Sequence, residues 1–320
     1  FETNGLPVAN YTFISNHRDI VLDSAFLSVL LLDKGFPTTV EIAIGDNLLV
    51  YPWIKKLVRV NKSFIVQRSV GMRQMLESSS RLSRYMHFAV AEKKENIWIA
   101  QREGRAKDSD DRTQDALLKM MAMGGEGTLA DRLRSLNLVP LAISYEYDPC
   151  DYLKAKEFQQ KRDDPSYRKT REDDLLNMQT GINGRKGHVH YQAAAPVNTW
   201  IDECAVLPKA AFFDAVAKRI DRAIHSNYRL YPTHCIAADR LDGNARVRTR
   251  TSCASACSPC MPTRPVTGTL PNDFRSTGVP PLVCHAAGGV RGRHRDVASD
   301  AGGPRPADHL VRRARRDVPA

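Results

Sequence analysis

Hydrophobic and polar positions follow two different spacings along the first 230 residues. Short apolar runs rich in β-branched residues predict strands at 11–15, 39–44, 63–67, 96–100, 138–145 and 188–192. Longer patterns of helical spacing predict helices at 24–32, 47–57, 71–94, 115–123, 128–136 and 208–227. Thr128 and Asp131 form a variant of the capping box, and Pro208 stands where the last of these helices begins.

Strands that alternate with helices indicate the α/β class. The expected architecture is a central sheet, mostly parallel or mixed, flanked by helices on its faces. In such folds the loops at the carboxyl ends of the strands carry the active site.

Composition divides the chain into two parts. The 320 residues are 42% hydrophobic and 26% charged, which is typical of globular proteins, and their net charge is +11. From residue 245 to residue 320 there are 13 Arg and 5 Asp but no Lys or Glu, so this segment carries +8 of that charge. We expect a catalytic domain over 1–240 and an Arg- and Pro-rich tail over 241–320. We favour translation of a wrong reading frame for the tail over a disordered basic segment.

The cysteines add little chemistry. Cys253, Cys257 and Cys260 have the spacing of the cluster-binding motif of radical S-adenosylmethionine enzymes. Such enzymes continue into a barrel, whereas here a Pro- and Arg-rich stretch follows, so we reject a cluster. The other cysteines before residue 245 are scattered singly, which favours a reducing compartment.

The first strand leads into a candidate catalytic loop. His17 follows the run that ends at Ser15, and Asp23 opens the next apolar stretch. A neutral imidazole becomes a general base when a carboxylate fixes its tautomer, and Asp23 is the natural carboxylate, with Asp19 in reserve. The alternative is a surface histidine beside a helix cap. His-Arg-Asp also opens the protein-kinase catalytic loop, but the glycine-rich loop and the Asp-Phe-Gly motif are missing, so we reject a kinase.

Two further loops, together with the segment that contains the proline-bearing strand at 138–145, suit an anionic substrate. Arg68 ends one predicted strand, and Glu103, Gly104, Arg105 and Lys107 follow another. Arginine presents a planar fork to phosphate, and lysine adds a point charge. A solvated surface charge is the alternative for each residue alone, but their shared position at strand ends favours a common site.

These segments, together with the proline-containing strand at 138–145, resemble in their order the four blocks of the glycerolipid acyltransferases, a family of glycerol-3-phosphate and lysophosphatidate acyltransferases. The blocks are His17 with Asp23, Phe64-Ile65 with Arg68, Glu103-Gly104 with Arg105, and Pro140 with Tyr145-Glu146. The last block is closer to the glycerol-3-phosphate branch. The resemblance spans about residues 10 to 230 and indicates a divergent, bacterial-type member.

The resemblance implies a mechanism. His17 takes the proton of an acceptor hydroxyl, Asp23 orients the imidazole, and the hydroxyl attacks an acyl thioester directly. Arg68, Arg105 and Lys107 would hold the phosphate of the acceptor, while Glu103, Gly104 and Pro140 would shape the pocket. The implied partners are acyl-CoA or acyl carrier protein as co-substrate and glycerol 3-phosphate or a lysophospholipid as acceptor, with no cofactor and no metal.

Two spacings depart from the family pattern. Five residues separate His17 from Asp23, where the family has four, which leaves Asp19 as an alternative partner. Arg105 follows Gly104 directly, where the family inserts one residue, so its assignment to phosphate is open. The acceptor could therefore differ, and a phosphate-free lyso-lipid is a rival substrate.

The segment 48–59 mixes Tyr, Trp and aliphatic residues with cations, as interfacial helices do. A partly buried helix with a snorkelling polar edge is the alternative. We expect peripheral attachment to the cytoplasmic face of a membrane, because no window reaches the roughly 18 apolar residues of a membrane span. A non-catalytic basic membrane-binding or nucleic-acid-binding protein is the competing class. We expect no nucleic-acid partner, because no aromatic-basic recognition module is present.

Overall fold

The protein is described by a computed structural model that covers residues 1–49, 51–67, 71–107 and 110–241. Apart from Leu241, the predicted tail over 241–320 lies outside the described residues. The domain boundary at 240 therefore stays a prediction.

All six predicted strands are present and form one sheet. They are β1 (Thr12–Ser15), β2 (Val40–Gly45), β3 (Ser63–Val66), β4 (Asn96–Ala100), β5 (Leu138–Tyr145) and β6 (Val189–Ala193). Their order across the sheet is β3-β2-β4-β1-β5-β6; neighbours are parallel except for β6, which is antiparallel to β5. The expected mixed sheet is confirmed.

Helices flank this sheet. In chain order they are α1 (Leu22–Asp33), α2 (Pro52–Val60), α3 (Met72–Ala91), α4 (Asp115–Met121), α5 (Leu129–Arg134), α6 (Asp151–Asp163), α7 (Arg171–Asn183), α8 (Ile201–Ala205), α9 (Lys209–Ser226) and α10 (Pro232–Leu241). The sequence patterns predicted α1 to α5 and α9, whereas α6, α7, α8 and α10 were missed.

Two hydrophobic cores lie on opposite faces of the sheet, because side chains alternate along each strand. Phe13 of β1 packs in one core with Leu27 and Leu31 of α1. Its neighbour Ile14 packs in the other core with Leu118 of α4 and residues of α3, α5, α8 and α9. The helices that follow the adjacent strands β1 and β4 therefore leave the sheet on opposite faces. This divergence opens a crevice beyond the carboxyl ends of those two strands.

Among the described residues, no helix combines the length and the apolar character needed to cross a bilayer.

Candidate active site

The loops after β1 and β4 meet in the crevice between the two diverging helices. Ser15 lies beside Ala100 in the parallel register of these strands, and the amide of Gln101 donates to the Ser15 carbonyl at 2.8 Å. The residues after each strand are therefore neighbours. This register brings the histidine loop and the Glu-Gly-Arg loop together, as the sequence predicted.

His17 and Asp23 form a hydrogen-bonded pair. The Nδ1 atom of His17 lies 2.8 Å from Oδ2 of Asp23, and the Asp23 side chain is completely buried. The backbone amides of Arg18 and Asp19 donate to the same oxygen at 2.7 and 3.0 Å. The Tyr145 hydroxyl donates to the other oxygen at 3.1 Å. A carboxylate that accepts these bonds directs the Nδ1 proton toward itself and leaves Nε2 as the nitrogen that a substrate proton can reach.

Asp19, the reserve candidate, has a different position. One of its oxygens accepts the amides of Val21 and Leu22, both at 2.9 Å, so it satisfies donors where α1 begins. Burial, together with the nearby charge of Asp23, raises the pKa of the Asp19 carboxyl. The carboxylate that pairs with His17 is thus Asp23, in spite of the longer spacing between the two residues.

The loop that carries His17 is held from several directions. Asn16 exchanges two hydrogen bonds with the backbone of Ile143 in β5, at 2.9 and 2.8 Å. Arg18 forms a buried ion pair with Asp111 at 2.6 Å. Lys154 of α6 donates to the Arg18 carbonyl at 3.2 Å. These bonds fix the backbone on both sides of His17, so the imidazole is positioned before any substrate arrives.

Trp98 forms a wall beside the imidazole. The two rings meet edge to face with centroids 5.4 Å apart, and the indole Nε1 donates to the Ser15 hydroxyl at 3.0 Å. His17 keeps about 14% of its side chain exposed, on the side of the cleft. The imidazole is therefore accessible from the cleft.

A cleft of about 1390 Å³ contains His17 and joins two chemically different halves. One half is lined by apolar residues of β2 and α2, namely Ile42, Ile44, Trp53, Ile54, Leu57 and Val58. The other half is lined by cations of the β4 loop, α6 and the region of α7, namely Arg102, Arg105, Lys107, Lys161 and Lys169. His17 lines the same cleft as both of these sets of residues. The cleft suits a molecule with an apolar chain and an anionic group.

Arg105 is the most deeply placed of these cations. Its Nη2 donates to Asn177 of α7 at 2.8 Å, and only 6% of the residue is exposed. Its Nη1 has no hydrogen-bond partner among the described residues. Gly104 before it has φ +68°, a left-handed conformation that favours glycine and turns the chain into the cleft. A buried guanidinium with an unused donor is suited to an anionic ligand.

The lysines of this half are paired with acidic residues. Lys107 and Lys161 lie 3.0 and 2.8 Å from Glu157 of α6, and Lys169 pairs with Asp174. Burial lowers the pKa of the Lys107 ammonium against the opposing charge of Glu157. Burial alone would raise the pKa of Glu157, but Lys161 and Lys107 lower it overall. This half of the cleft is thus a charge network with an excess of cations.

Three other predicted residues have different outcomes. Glu103 lines the cleft and is exposed, with its amide donating to Gln114 at 2.9 Å. Pro140 lies inside β5, opposite Ile14 of β1, and does not line the cleft, so its expected role in the pocket wall is not supported. Arg68 lies outside the described residues.

Among the described residues, no group of three potential metal ligands occurs. The Nδ1 atom of His188 lies 2.7 Å from Oε2 of Glu146.

Several site residues were missed by the sequence analysis. The contacts of Trp98, Tyr145 and Asn177 join segments far apart in the chain. The capping box of Thr170 and Asp173, which begins α7, is a local signal that could have revealed that helix.

The fold and the site define an α/β enzyme in which a histidine–carboxylate pair can activate a hydroxyl group at the carboxyl edge of a parallel sheet. A family model described as Acyltransferase matches residues 3–144, the region that contains His17, Asp23, Arg105 and most of β5. Over these residues the chain matches the acyltransferase family, and the resemblance found in the sequence is confirmed.

Two further comparisons add little to this assignment. Among solved structures, the 1-acyl-sn-glycerophosphate (LPA) acyltransferase PlsC from Thermotoga maritima is similar over 72% of each chain, with 13% identity and a TM-score of 0.38. At this score the likeness carries no weight for function. No curated protein matches the chain significantly.

Proposed function

We propose that this acyltransferase moves a fatty acyl group from an acyl thioester to a hydroxyl of glycerol 3-phosphate or lysophosphatidate. The observation that carries the proposal is that the His17–Asp23 pair lies in one cleft with an apolar half and a cationic half. An acyl chain fits the first half and a phosphate fits the second. The reacting carbonyl and hydroxyl would then meet at the imidazole.

The chemistry requires one base and no acyl-enzyme. Nε2 of His17 accepts the hydroxyl proton as the oxygen attacks the thioester carbonyl carbon. Asp23 stabilises the imidazolium that forms. The tetrahedral intermediate then breaks its carbon–sulfur bond, and the leaving thiolate takes the proton from His17. The products are an ester and a free thiol, and the enzyme returns to its starting state.

The phosphate of the acceptor is assigned to Arg105. Its buried guanidinium has one unused donor, whereas the nearby lysines are already paired with Glu157 and Asp174. A bond between charged partners contributes about 1.5–3 kcal/mol, which corresponds to roughly a tenfold to hundredfold effect on binding. The donor carrier, CoA or acyl carrier protein, is part of the proposal and is identified by assay.

The test is acyl transfer from a long-chain acyl thioester to glycerol 3-phosphate, lysophosphatidate and a phosphate-free lyso-lipid. We expect His17→Ala to lower kcat by about 10²- to 10⁴-fold. We expect Arg105→Gln to raise KM for the two phosphate-bearing acceptors and to leave KM for a phosphate-free acceptor unchanged. Thermal unfolding of both variants serves as the control for folding.

Two results would contradict the proposal. Turnover that survives in His17→Ala would remove the histidine from the chemistry. A wild-type preference for the phosphate-free acceptor would replace the phosphate-bearing substrates with the rival lyso-lipid.

A further inference from the structure

The mouth of the cleft has an apolar rim. Six hydrophobic side chains both line the cleft and are at least 47% exposed to solvent, namely Val29 of α1, Trp53, Leu57 and Val60 of α2, Phe158 of α6 and Ile182 of α7. Four helices that are distant in the chain therefore place apolar surface around the same opening. Exposed apolar side chains that are concentrated in this way mark an interaction surface, whereas single ones do not.

Helix α2 has the pattern of a helix that lies in a bilayer interface. Trp53, Leu57 and Val60 are spaced by four and three residues, so they form one stripe on the helix. Successive residues of a helix are rotated by about 100°, so Lys55, Lys56 and Arg59 lie on the side of α2 away from the buried Ile54. An exposed apolar stripe beside a basic face favours insertion among anionic headgroups.

A second copy of the chain fits this surface less well. In a two-fold dimer built on α2, Lys55, Lys56 and Arg59 of one copy would lie close to the same cations of the other. An anionic lipid surface instead neutralises them. The apolar rim also continues into the apolar half of the cleft through Trp53 and Leu57, so an acyl chain could pass from a bilayer into the cleft without crossing water.

We propose that the mouth of the cleft docks on an anionic lipid bilayer, with Trp53, Leu57 and Val60 entering the interface and the cations of α2 contacting the headgroups. This inference rests on the proposed function, since a lipid substrate is what gives the orientation its purpose.

Trp53 provides a direct probe. The chain has three tryptophans; Trp53 is 56% exposed, while Trp98 and Trp200 are 4% and 8% exposed. The full chain is mixed with vesicles of phosphatidylcholine and phosphatidylglycerol, and tryptophan emission is recorded. We expect a blue shift, quenching by brominated phosphatidylcholine, and the loss of both signals in Trp53→Phe.

Matched variants separate insertion from charge. We expect Leu57→Gln with Val60→Gln to remove the quenching of Trp53, while Val206→Gln with Leu207→Gln, an exposed apolar pair outside the cleft, leaves it intact. We expect Lys55→Gln, Lys56→Gln and Arg59→Gln together to weaken vesicle affinity on the order of a hundredfold. The same number of charges removed from α9 by Lys209→Gln, Lys218→Gln and Arg222→Gln serves as the control.

The outcomes are distinguishable from those of the acyl-transfer assay. Vesicle binding without any change in Trp53 emission would overturn the docking surface, because the contact would then lie elsewhere, for example in the Arg-rich segment. Dimerisation that buries Trp53 in the absence of lipid would also overturn it. Insertion of Trp53 without turnover would support the docking surface and contradict the proposed function. Turnover of a short-chain soluble substrate without insertion of Trp53 would support the proposed function and contradict the docking surface.

Discussion

The carboxylate of Asp23 accepts four hydrogen bonds, and each fixes a different part of the site. Two come from backbone amides of its own loop, one comes from His17 and one comes from Tyr145 of β5. Tyr191 of β6 donates to the backbone carbonyl of the same residue at 2.8 Å. Two tyrosines thus contact one aspartate, but only Tyr145 bonds to the carboxylate that pairs with the imidazole. We therefore treat Tyr145 as a positioning residue for the imidazole and Tyr191 as a structural residue.

Tyr145→Phe tests the positioning role. Burial, with the charge of Asp23 beside it, raises the pKa of the Tyr145 phenol, so the hydroxyl remains a donor across the working range. Without that donor the Asp23 carboxylate loses one of the bonds that fix its orientation, so the imidazole is positioned less firmly. We expect kcat to fall about tenfold while KM stays near the wild-type value.

Tyr191→Phe is the matched control, since it removes a hydroxyl of the same kind from the backbone carbonyl of Asp23. We expect it to lower stability while kcat stays near the wild-type value. An equal fall of kcat in both variants would assign the effect to general loosening of the site.

At this scale the sequence predicted the histidine–aspartate pair but not the contacts that surround it. On their own, His17 and Asp23 could also have been a surface histidine beside a helix cap, and it was the order of the later segments that favoured a base and its carboxylate. Asp19 could not be ranked against Asp23 from spacing, since the choice depends on how α1 begins. Trp98 and Tyr145 were not assigned to the site because their side chains meet the catalytic loop only after the sheet forms. The pocket role given to Pro140 was an inference from family order, and register places the residue inside the sheet.

Helix α7 closes the cationic half of the cleft, and its close approach depends on one glycine. A Cβ on Gly181 would lie 2.2 Å from Oδ2 and 3.0 Å from Cγ of Asp19. The other Asp19 oxygen is held by the first amides of α1, so its side chain cannot simply turn away. One turn earlier in α7, Asn177 contacts Arg105. The position of α7 therefore affects two parts of the site, the loop that carries Asp19 and the guanidinium of Arg105.

We expect Gly181→Ala to lower the free energy of unfolding by about 1–3 kcal/mol, as overpacking does, and to reduce turnover by displacing α7. Gly71→Ala is the control, because a Cβ there meets nothing within 4 Å and the backbone is not left-handed. Chemical denaturation of both variants provides the measurement. A Gly181 variant as stable as the Gly71 variant would show that the helix can shift without cost.

Helices α6 and α7 were missed because their sequences lack a continuous apolar stripe. Their inner faces meet a polar cleft and a buried charge network, with Glu157 and Asn177 where a core helix would carry leucine. Helical spacing of apolar residues detects helices that pack on a core, such as α3 and α9. It fails where the packed face of a helix is part of the site.

At the scale of the molecule, three histidines among the described residues lie in surroundings that disfavour their charged form. Burial lowers the pKa of His87, His190 and His234 below their ordinary value of 6.5. His87 Nε2 lies 3.0 Å from the Met121 carbonyl, and its Nδ1 lies 3.0 Å from the Ser135 hydroxyl. The partial burial of the His87 imidazole disfavours its charged form in the folded state.

The sign of the pH dependence follows from these lowered values. Each histidine stabilises the folded state fully when the pH is above the pKa that the histidine has in the unfolded chain. This contribution is lost as the pH falls toward the lower pKa that the histidine has in the folded protein. We expect the free energy of unfolding to decrease between about pH 7.5 and 5.5, by up to ~1.4 kcal/mol per pH unit for each histidine. His87→Gln should make this decrease shallower, as measured by urea denaturation at each pH. An unchanged slope in the variant would show that His87 accepts its proton without penalty.

The contacts around the catalytic loop also determine when the site comes into existence. The loop is tied to Asp111, to Ile143 and, through Asp23, to Tyr191, a residue 168 positions further along the chain. On the ribosome, His17 and Asp23 are made early, whereas the bonds from Asn16 to Ile143 and from Tyr191 to Asp23 form only after β5 and β6 have joined the sheet. A nascent or nicked chain that lacks the last strand therefore carries the histidine loop without part of its support. The completion of this site is thus coupled to the completion of the sheet.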